Sequence, residues 1–293
     1  MIITKNRNKK IRLPFLILAL FLAIPAFSRA EEPKTPPKKA FGIAISPSVI
    51  RLTGKPGQSQ EATVRVSNNG VSSARIAVEA SDVGNVVDAK GKLSRQFFPA
   101  GTLPFSCAKW TLLRDNDFLL KPDEFKAVNF IVSPPKDSVG GSACVVFLRG
   151  IPTASNPDLK EETQAQATIQ IQPRLGAMVF YEIEGTLRRT GKLLDLKYEP
   201  PSAGKPLKLL YVFENTGNAD VLVSGTFYVL DANKTLVAKG DLEPIRTFPG
   251  DKGYGETAWE TTLPSGTYQL VVTFELGPGT QEVIVKELQF SIP

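Results

Sequence analysis

The chain has no histidine, and only two cysteines, two methionines and two tryptophans in 293 residues. Without histidine, acid–base catalysis by an imidazole is excluded. With two cysteines as the remaining soft ligands, metal sites of the zinc kind are nearly excluded. No phosphate loop is present: "GKPGQS" (54–59) lacks the Gly-Lys-Ser/Thr ending and a following helix. No nucleophile motif occurs, and no constellation of an enzyme can be assembled. Asp82, Asn85 and Asp88 offer too few oxygens in too open a turn for calcium, and read as polar residues beside a hairpin. The sequence therefore predicts no catalytic residues, no cofactor and no metal. Long segments of helical period are missing too, and no apolar run after residue 30 reaches membrane-spanning length.

What is present begins with an export signal. "MIITKNRNKKIRLP" carries five Lys or Arg and no acid. "FLILALFLAIPAF" follows, and Ser28 and Ala30 hold the small-residue positions of a cleavage site after Ala30. An uncleaved N-terminal anchor is the alternative. Residues 31–41, with "PKTPPKKA", read as a solvated Pro/Lys linker. Six of the 35 basic residues lie in residues 1–30, and none of the 29 acids do. The remainder has 29 of each sign, so the basic balance belongs to the signal. No local excess of Lys or Arg points to nucleic acid. A periplasmic or otherwise exported location is expected.

Export leads to an oxidising compartment, so Cys107 and Cys144 are expected to form a disulfide, two buried thiols being the alternative. Closing a loop of about 37 residues would stabilise the fold by roughly 3–4 kcal/mol in the chain-entropy view.

Period-2 runs separated by Gly, Pro, Asn and Asp turns fill the rest, which predicts an all-β chain of two tandem immunoglobulin-like sandwiches. The expected boundaries are 42–185 and 186–293. "GIAISPSVIRL" is interrupted by Pro47, so it is an edge strand or one that switches sheets. "VVDAKGKL" predicts a hairpin at Lys90-Gly91, and "CAKWTLL" a strand. "VRVSNNG" and "YVFENTGN" occupy the same place in the two halves, the end of a second strand before a polar turn. Trp110 and Trp259 are expected to plug the cores. Tyr268 is expected to tie its hydroxyl back to the backbone, as a corner tyrosine does.

"ATIQIQPRLGAMVFYEIEG" (167–185) alternates, breaks at Pro173 and then runs apolar. It reads as the last strand of the first sandwich. Either it pairs internally and bends at Pro173, or it is an edge open to a partner strand.

"SPSVIRLTGKPGQSQEATVRVSNNG", "FLLKPDEFKAVNFIVSPP", "GSACVVFLRGIPTAS" and "PRLGAMVFY" appear in that order. Together they resemble the N-terminal domain of PapD-type pilus-assembly chaperones, over roughly residues 42–185. The resemblance implies a periplasmic chaperone that lends the last strand of its first domain to an incomplete subunit. It also implies basic residues holding the subunit's carboxylate: Arg174 in the last strand, with Arg51 as the nearest counterpart, though closer to a turn than the pattern has it. Ile169, Ile171, Leu175 and Val179 would line or support the groove. The second half, with "FENTGN", "LPSGTYQL" and "FSIP", resembles the second domain of two-domain surface proteins that bind WxL-type cell-wall proteins. Two functions follow as expectations: a non-catalytic, chaperone-like binder of pilus or surface subunits, or a structural or adhesive scaffold in a cell-surface complex. The partner is in either case a protein.

Overall fold

The structure is a computed structural model that describes residues 42–89, 92–152, 172–201, 205–260, 263–277, 280 and 282–292. The expected signal peptide (1–30), the linker (31–41), Ile169 and Ile171 lie outside the described residues. Residues 38–293 form one compact unit. Within it are two immunoglobulin-like β-sandwiches, each with its own hydrophobic core.

Among the described residues the first sandwich holds ten strands: β1 (Ile43–Ser46), β2 (Val49–Gly54), β3 (Gln60–Asn68), β4 (Ala74–Val87), β5 (Leu93–Phe98), β6 (Thr111–Leu113), β7 (Asp117–Leu120), β8 (Phe125–Val132), β9 (Gly141–Pro152) and β10 (Arg174–Ile183). One sheet runs β1-β3-β8-β6, and the other β2-β10-β9-β4-β5, with β7 also on β4. Alternation decides which side chains face inward. Val64 and Val66 of β3 and Val128, Phe130 and Val132 of β8 are fully buried against Ile76, Leu148 and Val179 of the facing sheet. The interruption at Pro47 marks a strand that switches sheets: β1 pairs with β3, and β2 crosses to pair with β10.

The Cys107–Cys144 disulfide is formed, with Cα atoms 5.2 Å apart. "CAKWTLL" departs from expectation. Ala108–Trp110 form a 3-10 turn, and only Thr111–Leu113 continue as strand. The turn lets Cys107 reach the central strand β9. The predicted hairpin pairs Val87 with Leu93, although residues 90 and 91 lie outside the description.

The second sandwich has β11 (Gly191–Glu199), β12 (Leu207–Asn215), β13 (Val221–Leu230), β14 (Leu236–Asp241), β15 (Ile245–Thr247), β16 (Lys252–Trp259), β17 (Gly266–Glu275) and β18 (Val283–Ile292). Its sheets run β11-β12-β16 and β14-β13-β17-β18, with β15 on β13. Leu207, Leu209, Tyr211 and Phe213 of β12 point inward, as their alternation predicts. The Tyr268 hydroxyl donates to Pro264 O at 2.8 Å, the corner tie foreseen from sequence. Trp110 and Trp259 are only half-buried, packed at the rims of the two cores rather than at their centres.

The two halves repeat each other in hydrogen bonds as well as in sequence. Asn68 ends β3 and Asn215 ends β12, and both are buried. Asn68 donates to the carbonyls of Ser72 and Leu120 and accepts from Gly70 N. Asn215 donates to the carbonyls of Ala219 and Thr247 and accepts from Gly217 N. Each amide fills the role that a buried turn would otherwise leave unsatisfied.

Candidate protein-interaction site

β10 is an internal strand over most of its length. It lies antiparallel to β9 from Arg174↔Arg149 to Glu182↔Gly141, and parallel to β2 from Met178↔Val49 to Ile183↔Gly54. Of the two readings of this stretch, internal pairing holds for residues 178–183, which have the chain's own strands on both sides. Pairing with β2 stops because the chain leaves for the other sheet at Pro47.

The remaining part, Arg174–Ala177, is open among the described residues. Its direction follows from two bonds. Met178 donates its N–H to Ser48 O at 2.9 Å, on the β2 side, whereas Pro173 O accepts from Gly150 N at 2.9 Å, on the β9 side. Alternate residues of a strand point their backbone groups to the same side. Arg174 and Gly176 thus aim N–H and C=O at the flank where no described strand lies.

Side chains at this edge divide between two faces. Val179 and Ala177 are fully buried in the core, and Leu175 is half-buried. Val179 is accordingly a core residue and lines no groove. Arg174, Gly176, Met178, Phe180 and Glu182 point to the outer face. There Phe147 of β9 lies across Gly176: a Cβ at that position would sit 2.7 Å from Val145 Cγ2 and 2.9 Å from Phe147 Cε1. The Arg174 guanidinium stacks 3.5 Å above the Phe147 ring and bonds Glu79 at 2.8 Å. Phe97 meets the same ring edge-on, with centroids 4.8 Å apart.

Arg51 is elsewhere. It pairs with Phe180, six residues along β10 from Arg174, or about 20 Å away at the usual rise of a strand. The structure does not bring the two arginines together, and a single carboxylate cannot bridge them. Arg51 instead joins an ion network at the junction with the second sandwich. It donates to Glu182 at 2.6 Å and to Asp220 at 3.0 and 3.3 Å. Arg189 bonds Glu182 at 2.7 Å and lies 3.6 Å from Asp220, and Arg246 bonds Asp220 as well. Arg51 and Arg246 flank the Phe180 ring at 4.3 and 5.0 Å. Burial disfavours the Arg51 charge, yet its bonds to Asp220 and Glu182 outweigh that and push its pKa up. Arg95 has no such bonds among the described residues: burial, with Arg246 beside it, holds it below the ordinary arginine value.

A small apolar cluster accompanies the network. Phe248 of the second sandwich is fully buried against Val83, Ala143 and Phe180, and stacks on Phe105 with centroids 5.2 Å apart. Phe105 sits in a loop held from below by Asp82, whose buried carboxylate accepts from Gly101 N at 3.1 Å, Leu103 N at 2.7 Å and the Ser106 hydroxyl. Asn85 donates to Arg246 O at 2.9 Å and to Asp251 at 2.7 Å, and Asp88 accepts from Lys92 N at 2.9 Å. These three polar residues thus serve separate structural tasks, and no metal-holding group is found among the described residues. Nearby, Gly140 adopts φ +76°, and a Cβ there would lie 2.4 Å from Asn218 O. Asn218 O accepts from Gly141 N at 2.8 Å. Sequence reading missed Asp220, Arg246 and Phe248, since nothing local to them signals a partner more than 60 residues away. No helix among the described residues is long and apolar enough to cross a membrane.

No family model and no curated protein matches the chain. In structure it is similar to PapD-like fimbrial chaperones. The class 5 fimbriae chaperone CfaA is 12% identical, with a TM-score of 0.39, covering 86% of this chain and 100% of its own. The E. coli chaperone DraB is 15% identical, with a TM-score of 0.38, covering 85% and 98%. A chaperone–tip subunit pre-assembly complex, CsuC–CsuE of the archaic Csu pili of Acinetobacter baumannii, is 11% identical, with a TM-score of 0.42, covering 83% and 97%.

Proposed function

We propose that the chain is an exported, non-catalytic binding protein. Its first sandwich takes an extended segment of a protein partner onto the open flank of β10, in the manner of a chaperone for pilus or surface subunits. The two sandwiches, divided near residue 185, would act as separate folding units that share one junction. The observation that carries the reading is the pair of residues Arg174 and Gly176, with backbone donors and acceptors facing a side free of described strands. Unpaired strand edges are templates for strand addition, and main-chain bonds supply the affinity. The signal-like N-terminus supports export. The lack of histidine and of any nucleophile motif supports a role without bond-breaking.

The test uses amide hydrogen exchange with extended peptides selected from a displayed random library. In the free protein the Arg174 and Gly176 amides should exchange fast and the Leu175 and Ala177 amides slowly. A bound peptide should slow the first pair. Arg174→Pro should abolish binding, because it removes an N–H that faces the partner and spares the bonds to β9. Peptides that bind with the exchange of these amides unaltered would falsify the reading.

A further inference from the structure

On the outer face beside the open flank, two arginines stand directly opposite each other. Arg174 of β10 and Arg149 of β9 are Cα partners in the ladder, which puts their Cβ atoms about 5 Å apart. Like charges so placed repel, and natural sheets avoid the arrangement unless something offsets it. Arg174 has its offset in Glu79, 2.8 Å away, and keeps 39% of its side chain exposed. Arg149 is exposed, and among the described residues no carboxylate pairs with it. Its neighbour on the other side, across β4, is Ala77. Among the described residues the other charges at this end of the face, Arg75 and Asp117, are bound to each other through 2.5–2.9 Å contacts. Among the described residues three cations therefore meet two carboxylates, and the surplus sits on Arg149.

We infer that this arginine pair is an acid-reading subsite for the partner strand. The segment added along Arg174–Gly176 carries an Asp or Glu whose side chain turns to the outer face and is shared by Arg174 and Arg149. This deepens the edge-strand reading above and rests on it. The geometry favours a side-chain carboxylate. A strand added in line with β2 runs past Arg174, and its residues alternate between the two faces, so every second side chain rises beside the guanidiniums. The stacking of Arg174 on Phe147 holds one guanidinium in place before binding, which lowers the ordering cost of the contact. The site is distinct from the junction network, where Arg51, Arg189 and Arg246 already have carboxylates.

The experiment uses the full mature chain and a randomised heptapeptide library displayed with its C-terminus fused, so that no free terminal carboxylate is offered. Binders are expected to carry Asp or Glu at one fixed position. A synthetic, C-terminally amidated binder should lose about fivefold in affinity when that acid is changed to the amide. Arg149→Gln should shrink the difference between the acidic and amide peptides. Arg149→Glu should favour a lysine at the same position. Binders that protect the Arg174 and Gly176 amides but show no acidic preference would overturn this inference and leave strand addition standing. Failure to select any peptide that protects those amides overturns both. Protection that grows with protein concentration alone would make a second copy of the chain the occupant, and would also overturn it.

Discussion

Removing the Asp220 carboxylate tests whether the junction is a bonded network or a collection of solvated charges. Its side chain is 5% exposed and faces Arg51, Arg189 and Arg246. Breaking a buried ion network by deleting one member costs about 3–5 kcal/mol, because the partners are left charged and unpaired. Two features pull the expected value to the low end. Arg51 and Arg246 keep 34% and 21% exposure, so water can reach them. Glu182 stays behind as a partner for Arg51 and Arg189. Asp220→Ala should therefore destabilise by about 3 kcal/mol, and lower the urea midpoint by about 1 M for a chain of this size. In an Arg246→Ala background the same substitution should cost less than half as much, since contacting residues are not additive. Equilibrium urea unfolding by tryptophan fluorescence reads both numbers. A loss below about 1 kcal/mol, or strict additivity with Arg246→Ala, would refute the network.

Other consequences are equally open to measurement. Asp82→Ala should cost about 2–3 kcal/mol, since it orphans the buried N–H groups of the loop that carries Phe105; an unchanged urea midpoint would show that water replaces the carboxylate. Reducing the Cys107–Cys144 bond should cost about 3–4 kcal/mol, seen as a lower melting temperature in dithiothreitol; equal melting with and without reductant would remove the disulfide's role. Tyr211 is buried, and burial, with Glu243 nearby, pushes its phenol up to about 12. The unfolded chain releases this proton near pH 10, so stability is lost as pH rises between the unfolded and folded values, by up to ~1.4 kcal/mol per pH unit. Tyr211→Phe should flatten that alkaline decline when stability is followed from pH 9 to 12, and a slope equal to wild type would contradict the assignment.

Strand content was legible where burial alternates, as in β8, where Val128, Phe130 and Val132 alternate with Ala127, Asn129 and Ile131. The repeat was legible because the same asparagine ends the second strand of each half. Pro47 signalled an edge strand or a sheet switch, since proline cannot stay in a central ladder, and the β1 and β2 pairings show the switch. The candidate site was legible only in part. Arg174 could be singled out in the sequence, but its facing partner could not. Arg149 lies before a long connection, and only the β9–β10 register sets the two opposite. The contrast between Arg174 and Arg51 also depends on register: both are basic residues on apolar strands, and pairing alone separates a surface arginine from a junction one. Asp220 looks like one more polar residue after a turn until the second sandwich brings it to β2 and β10.

The parallel ladder between β2 and β10 has a consequence for how the chain matures. Val49 meets Met178, 129 positions later in the polypeptide. In a nascent chain that emerges N-terminus first, β1 can pair with β3 early, but β2 has no strand to zip against until β10 has followed, out to residue 183. The first sandwich must therefore wait, incomplete, through most of its own emergence. The flank of β10 is the last part of that sandwich to come into being, so a client segment could dock there only on a finished molecule.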